Sequence, residues 1–444
     1  MEIVPVPLRT NLPMRSLQLN RRRPPSLPLL RRSPCPMVIP TSPSEDRTQA
    51  ARGLYIGGVL GDRYSPRVIL SIGVWLSAIV VFLFGYVTEV TQYYHTYVYF
   101  TLWVSGGLFQ SVAWPTEICI MGNWFGRGSR GLIMGVWSGC ASVGNIIGTL
   151  ITSAVIYEGY EFAFAVNSTI LFLFGFVIFF CLKAHPREIG LAEPWEWESE
   201  PNDVIEESTT SRPIGFWRAW KLPGVIPYSF AYACLKMVTY GFFFWLPFYL
   251  HKNFGWPEGD ADQLSTFFDV GGIVAAVVGG ALSDRLSSRT PVVVIMLVIA
   301  SFCLGIYSMV PGDFIINAIA LTIVGFFVAG PANMISSSVS ADLGKARELR
   351  GSTDALSTVT GIVDGTGSVG AAIGMLLIPA VQRTIGWSAV FYGFILMVIG
   401  TTCCLLPLLY REWQEYRRST LGIDPEEVEN EATERQGLLH NQVA

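Results

Sequence analysis

Charged side chains are scarce in this sequence, and histidines are scarcer. Asp, Glu, Lys and Arg make up 14% of the 444 residues, against about 25% in an ordinary soluble domain. The net charge is −4, so the cationic excess that a nucleic-acid partner demands is missing. The four histidines, His95, His185, His251 and His440, are scattered and form no HExxH or related cluster. No metal site is expected from them. The eight cysteines follow neither a metal nor a disulfide spacing. Cys119, Cys140, Cys181, Cys234, Cys303, Cys403 and Cys404 fall inside apolar runs, where a thiol behaves as a small apolar side chain. The chain also lacks a phosphate-cradling glycine loop with its lysine, and no group of side chains suggests covalent catalysis. These absences exclude ATP-driven work and argue against an enzyme or a resident cofactor.

What the sequence has in abundance is apolar length. Hydrophobic residues make up 51% and aromatic residues 13%. Apolar runs cover roughly residues 68–87, 98–122, 131–156, 162–182, 223–250, 264–284, 290–310, 313–340, 355–380 and 386–410. Each is long enough for a membrane helix, which needs about 20 residues, so the expected class is an all-α polytopic membrane protein. A shorter run, GLYIGGVLG at 53–61, is too short to span alone. Residues 1–50 are rich in Arg and Pro. They contain neither a spanning run nor the apolar core of a signal peptide and are read as disordered.

Charge divides the loops into two families. One holds Arg63, Arg67, Arg127, Arg130, Lys183, Arg187, Arg212, Arg218, Lys221, Arg285, Arg289, Lys345, Arg347, Arg350, Arg411, Arg417 and Arg418; the other holds Lys252 and Arg383. The positive-inside rule places the rich loops and the C-terminus in the cytoplasm. A repeat reinforces this division: GGVLGDRYSPR at 57–67 returns as GGALSDRLSSR at 279–289. Both copies close an apolar segment at a basic turn. Repetition on this scale marks transporters built from two related parts, and paired glycines let helices approach closely.

With the repeat in place, the chain resembles the major facilitator superfamily. More closely it resembles the organophosphate:phosphate antiporters, and among them the eukaryotic sugar-phosphate exchangers that carry glycerol 3-phosphate or glucose 6-phosphate. WPTEICIMGNWFGRGSRGLIMGVW (114–137), STFFDVGGIVAAVVGGALSDR (265–285) and ALSTVTGIVDGTGSVGAAIG (355–374) carry the resemblance. It implies a fold of two six-helix halves, of which the first is truncated here because the family's first helix and its arginine have no counterpart. It divides the chain into a disordered segment 1–50, a truncated first half 51–182, a cytoplasmic central loop 183–222, a six-helix second half 223–410 and a cytoplasmic tail 411–444. It implies exchange of a sugar phosphate or glycerol phosphate for inorganic phosphate by alternating access, in a monomer embedded in the bilayer. It also implies the endoplasmic reticulum membrane, with endolysosomal and plasma membranes as alternatives. ERQGLL at 434–439 resembles an acidic dileucine sorting signal. Two competing readings stay open at this point: a transport-inactive truncated paralogue with a regulatory role, and a facilitator of another organic anion.

One stretch carries the chemistry. ACLKMVTYGFFFWLPFYL (233–250) buries a lone lysine among apolar and aromatic residues. Lys236 lies about 20 Å into a bilayer core of ~30 Å, where an unpaired ammonium is costly. The resemblance makes Lys236 the phosphate ligand, with Trp137, Tyr240 and Asn145 as further substrate contacts. Asp269 and Asp364 are read as charge partners, Asp364 as the group that pairs with Lys236 in an empty site. Asp62 and Arg63, with Asp284 and Arg285 in the second copy, are read as gating residues of the repeated turn. Glu117, following Trp114-Pro115, is read as an aid to gating at a proline-weakened turn. In the family that the chain resembles, bacterial members carry a histidine where this chain has Ala141, so the substrate contact that the resemblance would imply there is absent.

Overall fold

The computed structural model describes residues 43–126, 130–155, 158–192, 215–286, 288–344 and 355–420, and every regular element among them is helical. The leading helices are α1 (Pro43–Arg63), α2 (Pro66–Phe82, continued by a π-helical turn to Val90), α3 (Thr96–Gln110), α4 (Ala113–Trp124), α5 (Arg130–Ser138), α6 (Cys140–Val155) and α7 (Tyr160–Cys181). The trailing helices are α8 (Val225–Phe254), α9 (Glu258–Arg285), α10 (Thr290–Tyr307), α11 (Phe314–Met334, continued by a π-helical turn Ile335–Val339 to Gly344), α12 (Leu356–Thr384) and α13 (Trp387–Thr420). Among the described residues, eight helices are long and apolar enough to cross a membrane.

Local chemistry sets the boundaries. Pro66 opens α2 in the first turn, where its missing N–H is no loss. Gly224 and Gly255 flank α8 in the left-handed region, at φ +87° and +71°, as glycine readily does. The Asp313 carboxylate accepts from the Ile316 N–H at 3.0 Å and caps α11.

Two of the expected spans are interrupted. The run 98–122 breaks at Ser111–Val112 into α3 and α4. Pro115 supplies no N–H there, and the Thr116 N–H reaches Val112 O only at 3.4 Å. The run 131–156 parts at Gly139, whose N–H turns back to Val136 O at 3.2 Å, a tighter turn than the α-helix makes. The segment read as disordered is helical from Pro43 onward; residues 1–42 lie outside the described residues, as do 193–214 of the central loop. At the other end α13 runs past the expected limit at 410 to Thr420, and ERQGLL falls outside the described part.

The trailing helices enclose the main apolar core, with Leu235, Phe242, Leu297, Leu321, Val359 and Val398 almost fully buried. Phe242 stacks on Phe268 with ring centroids 4.9 Å apart. Outward faces are also apolar: Phe172, Leu173, Phe174 and Phe180 of α7 are exposed, which suits lipid as solvent.

The repeated glycines mark where the two sets of helices cross. A Cβ on Gly58 of α1 would sit 2.7 Å from Ser357 O and 3.1 Å from Gly361 Cα of α12. A Cβ on Gly280 of α9 would sit 2.2 Å from Gly131 O of α5. The second glycine of each copy is therefore the crossing point, one on each side of the bundle, and both lie within a turn or so of the basic end. That end, where the cation-rich loops lie, is shut by these contacts.

Candidate functional site

Two layers of polar chemistry sit between the helix sets. The first is at the basic end. Asp62, in the first copy of the repeat, accepts the backbone N–H groups of Ser357 and Thr358 at 2.8 and 2.7 Å. Those are orphan donors at the start of α12, and the carboxylate also faces the positive end of the helix dipole. Asp284, in the second copy, accepts from the N–H groups of Gly131 and Leu132 at 2.9 and 2.7 Å, at the start of α5. Each acid thus caps a helix of the opposite set.

Charged side chains complete this layer. Arg130 Nη1 donates to Asp342 at 2.6 Å across the two sets. Arg289 donates through Nε to Asp342 at 2.9 Å and through Nη1 to Asp284 and Ser283. Arg289 is the last residue of the repeated pattern. Its counterpart Arg67 stays within the leading set, 3.7 Å from Glu188. Arg63 and Arg285, the other arginines of the pattern, are exposed and stand outside this network.

The second layer is deeper. Lys236 and Asp364 meet in an ion pair: the ammonium donates to both carboxylate oxygens at 3.1 Å and to Ser368 Oγ at 3.0 Å. Both residues are 5% exposed. Glycines of α12 allow α8 to come this close; a Cβ on Gly370 would lie 2.2 Å from Ala233 O. The rings of Tyr232 and Tyr240 lie 5.3 and 5.4 Å from the ammonium, within reach of its field.

From Asp364 a hydrogen-bond chain leaves the trailing set. Ser336 Oγ donates to Asp364 Oδ1 at 3.1 Å and accepts from Trp114 Nε1 at 2.7 Å. Trp114 belongs to α4 and stacks on Trp137 of α5 with centroids 5.0 Å apart. Nearby, the hydroxyls of Tyr55 on α1 and Thr366 on α12 are 3.0 Å apart.

The structure therefore brings together Lys236, Asp364 and Tyr240, with Trp137 one ring further out. Asp62 and Asp284 stand together at the basic end. Asp269 is half-buried on α9, and among the described residues no cation pairs with it. Glu117 is half-buried on α4, one turn beyond Trp114. The side chain of Asn145 lies outside the described residues. Sequence reasoning missed Trp114, Ser336, Ser368, Arg130 and Asp342. Arg289 carried a usable signal, as the conserved-in-both-copies last residue of the repeat. The others lie far from their partners along the chain, and no spacing reveals them. As to chemistry, one ammonium ringed by hydroxyls and phenols suits a compact anion held by point charge.

Known proteins resemble the chain in both sequence and fold. The family model described as Major Facilitator Superfamily matches residues 50–353. "Sugar phosphate exchanger 3" of Bos taurus is 49% identical over 385 residues, covering 82% of this chain and 78% of that protein. "Glucose-6-phosphate exchanger SLC37A2" of Bos taurus is 35% identical over 398 residues, covering 83% and 80%. Among solved structures, the proton:xylose symporter XylE bound to 6-bromo-6-deoxy-D-glucose superposes with a TM-score of 0.59 at 12% identity, covering 81% of this chain and 84% of that one. At that identity the likeness concerns the fold alone. The two exchangers are similar over most of their length as well as most of this chain's. The chain belongs to the major facilitator superfamily, among the proteins similar to sugar-phosphate exchangers.

Proposed function

We propose that the protein is an antiporter that exchanges a sugar phosphate or glycerol phosphate for inorganic phosphate by alternating access. The observation that carries this reading is the buried Lys236–Asp364 pair, which joins α8 to α12 within the trailing set and is linked through Ser336 to Trp114 of the leading set. A buried ammonium must keep a counter-charge. In the empty site Asp364 supplies it. A phosphate head group supplies it when bound, and Ser368, Tyr232 and Tyr240 surround the place where it would sit. Phosphate and phosphate esters share that head group, so one ammonium serves both partners of the exchange. The names of the exchangers similar to this chain support the substrate class.

In this reading the leading and trailing helices are the two halves of the superfamily's design, and α8–α13 make up the second, six-helix half. The basic end faces the cytoplasm, as the bias of Lys and Arg among the loops supports, so loop 183–222 and the tail after 411 lie on that side. The Asp62 and Asp284 caps and the Arg130–Asp342 bridge hold that side shut. Opening it requires both caps and the bridge to part, which exchanges five hydrogen bonds to carboxylates for contacts with water. The family resemblance supports the endoplasmic reticulum membrane as the compartment and the monomer as the working unit.

The test is phosphate-for-phosphate exchange in vesicles reconstituted with the purified chain. Uptake of labelled phosphate should need phosphate inside and should be competed by a sugar phosphate outside. Uptake no faster than in protein-free vesicles refutes the reading.

A further inference from the structure

The hydrogen-bond chain from Lys236 to Trp114 has no role in simple anion binding. It runs from the ammonium through Asp364 and Ser336 to an indole on the opposite set of helices. Every link is chemically directed. The indole only donates, a serine hydroxyl has one hydrogen to give, and the carboxylate only accepts. Ser336 therefore gives its hydrogen to Asp364 and offers a lone pair to Trp114. While Lys236 holds Asp364 with both oxygens, Asp364 in turn holds the rotor of Ser336.

We propose that Trp114 is a positioning residue that reports the occupancy of the Lys236 site to the contact between the two helix sets, and so enforces exchange over net flux. This rests on the antiport reading and deepens it. A dianionic head group and the Asp364 carboxylate repel each other on one ammonium. Binding therefore moves Asp364 off Lys236. Ser336 loses the carboxylate that orients it, and Trp114 trades its 2.7 Å bond to the oriented hydroxyl for its longer contact, 3.4 Å, with Ser336 O. A bond between the helix sets is present when the site is empty and weakened when it is loaded. The empty carrier stays shut at the basic end, and the loaded carrier is released to open.

The backbone around Ser336 suits such a switch. Ser336 lies in the π-helical turn Ile335–Val339, one turn after Pro331 inside α11. The proline removes one backbone bond, and a π-helical turn is a local insertion that α-helical pairing can absorb or expel. Ser336, Ser337 and Ser338 are all buried there, so small rotations of this turn move hydroxyls rather than bulky side chains. Trp114 is also held independently of the bond by its stack on Trp137. Trp114→Phe keeps the stack and removes only the donor.

The experiment compares the parent with Trp114→Phe, Ser336→Ala and the double variant in reconstituted vesicles. The probe is inorganic phosphate. Two rates are read: exchange with phosphate on both sides, and efflux into phosphate-free medium. The parent should show efflux far below exchange. Each single variant should raise efflux about three- to tenfold, the worth of one neutral hydrogen bond, with exchange and its apparent phosphate affinity nearly unchanged. The double variant should add nothing to either single one. A purely structural role for Trp114 would lower exchange and efflux together, and that result overturns the proposal, as does efflux at the parent rate in both single variants.

A second readout separates this inference from the antiport reading. A cysteine placed at Ala341, fully buried beside Ile118 and Leu356 at the basic-end interface, is labelled with a maleimide in detergent. Phosphate should speed labelling in the parent background several-fold. Trp114→Phe should label fast with or without phosphate. If the vesicles carry no phosphate yet the labelling follows this pattern, the antiport reading fails and the coupling stands. If labelling ignores both phosphate and the substitution, the coupling fails whatever the vesicles do. Ser336→Ala, which alters the other partner of the bond, repeats the test should Trp114→Phe fold poorly.

Discussion

Lys236→Ala should damage the protein twice, and the two injuries are separable. The first is to stability. The substitution leaves the Asp364 carboxylate, 5% exposed, with the Ser336 hydroxyl in place of an ammonium that met both of its oxygens. Breaking a buried pair from one side costs about 3–5 kcal/mol. By the usual scaling of unfolding entropy with size, this lowers the melting temperature by roughly 3–5 °C. The second injury is to binding. Loss of a charged hydrogen-bond donor costs about 1.5–3 kcal/mol, or roughly 10- to 150-fold in apparent affinity, for inorganic phosphate and sugar phosphate alike. The double variant Lys236→Met with Asp364→Asn removes both charges and should recover most of the melting temperature without recovering exchange. Thermal unfolding of detergent-purified protein and phosphate exchange in vesicles provide the two readouts. Exchange at parental rate and affinity in Lys236→Ala refutes the role of the ammonium. Exchange restored by the neutral double variant refutes it equally, since it would make the charge only a partner for Asp364. A defect confined to the sugar phosphate would move Lys236 to the sugar side of the pocket.

Asp284→Asn keeps one oxygen for the N–H groups of Gly131 and Leu132 but loses the charge that meets Arg289 and the α5 dipole; exchange should slow at normal protein level, and a vesicle assay with parental rates counts against the gating role. Asp62→Asn should act in the same direction at the start of α12. Gly280→Val places a branched side chain against Gly131 O and should prop the basic end open, read as faster labelling of a cysteine at Ala341; labelling at the parental rate contradicts the crossing described here. Cysteines in the central loop and in the tail should react with an impermeant reagent from the cytoplasmic face of sealed vesicles, and reaction from the opposite face alone reverses the assigned orientation.

Much of this architecture is written in local pattern. Apolar length located eight of the ten long runs as single helices that could span a membrane and the other two as broken ones, and the duplicated GGxLxDRxxxR placed Asp62 and Asp284 at equivalent turns. Lys236 announced itself because an ammonium in an aromatic helix needs a counter-charge, and Asp364 was the acid on a glycine-rich helix able to approach it. Pro115 marked a weakened turn in the run 98–122, which breaks at Ser111–Val112, whereas the interruption at Gly139 was not legible, because the flanking residues remain apolar and only backbone geometry breaks. The cross-set bonds were hidden for a different reason. Arg130 meets Asp342 across 212 residues, and Trp114 meets Ser336 across 222. A serine among three serines, or a tryptophan among thirteen, carries no mark of such a distant partner. Arg285 drew notice because it adjoins the aspartate, yet helix geometry turns it outward and gives the work to Arg289.

The caps formed by Asp62 and Asp284 have a genetic consequence. Their partners are backbone N–H groups of Ser357, Thr358, Gly131 and Leu132, which every residue except proline carries. The hydrogen bonds at Leu132, Ser357 and Thr358 therefore do not depend on which side chain the receiving residue carries, whereas at Gly131 any Cβ would lie 2.6 Å from Asp284 Oδ1 and the glycine is needed as much as the acid. A search for second-site suppressors of Asp62→Asn or Asp284→Asn should then return no charge swaps at these four positions. Compensation should arise elsewhere, at residues that shift the balance between open and shut, such as Arg130 and Asp342. Pairwise co-variation across these two contacts should be silent for the same reason, however strongly the contacts bind.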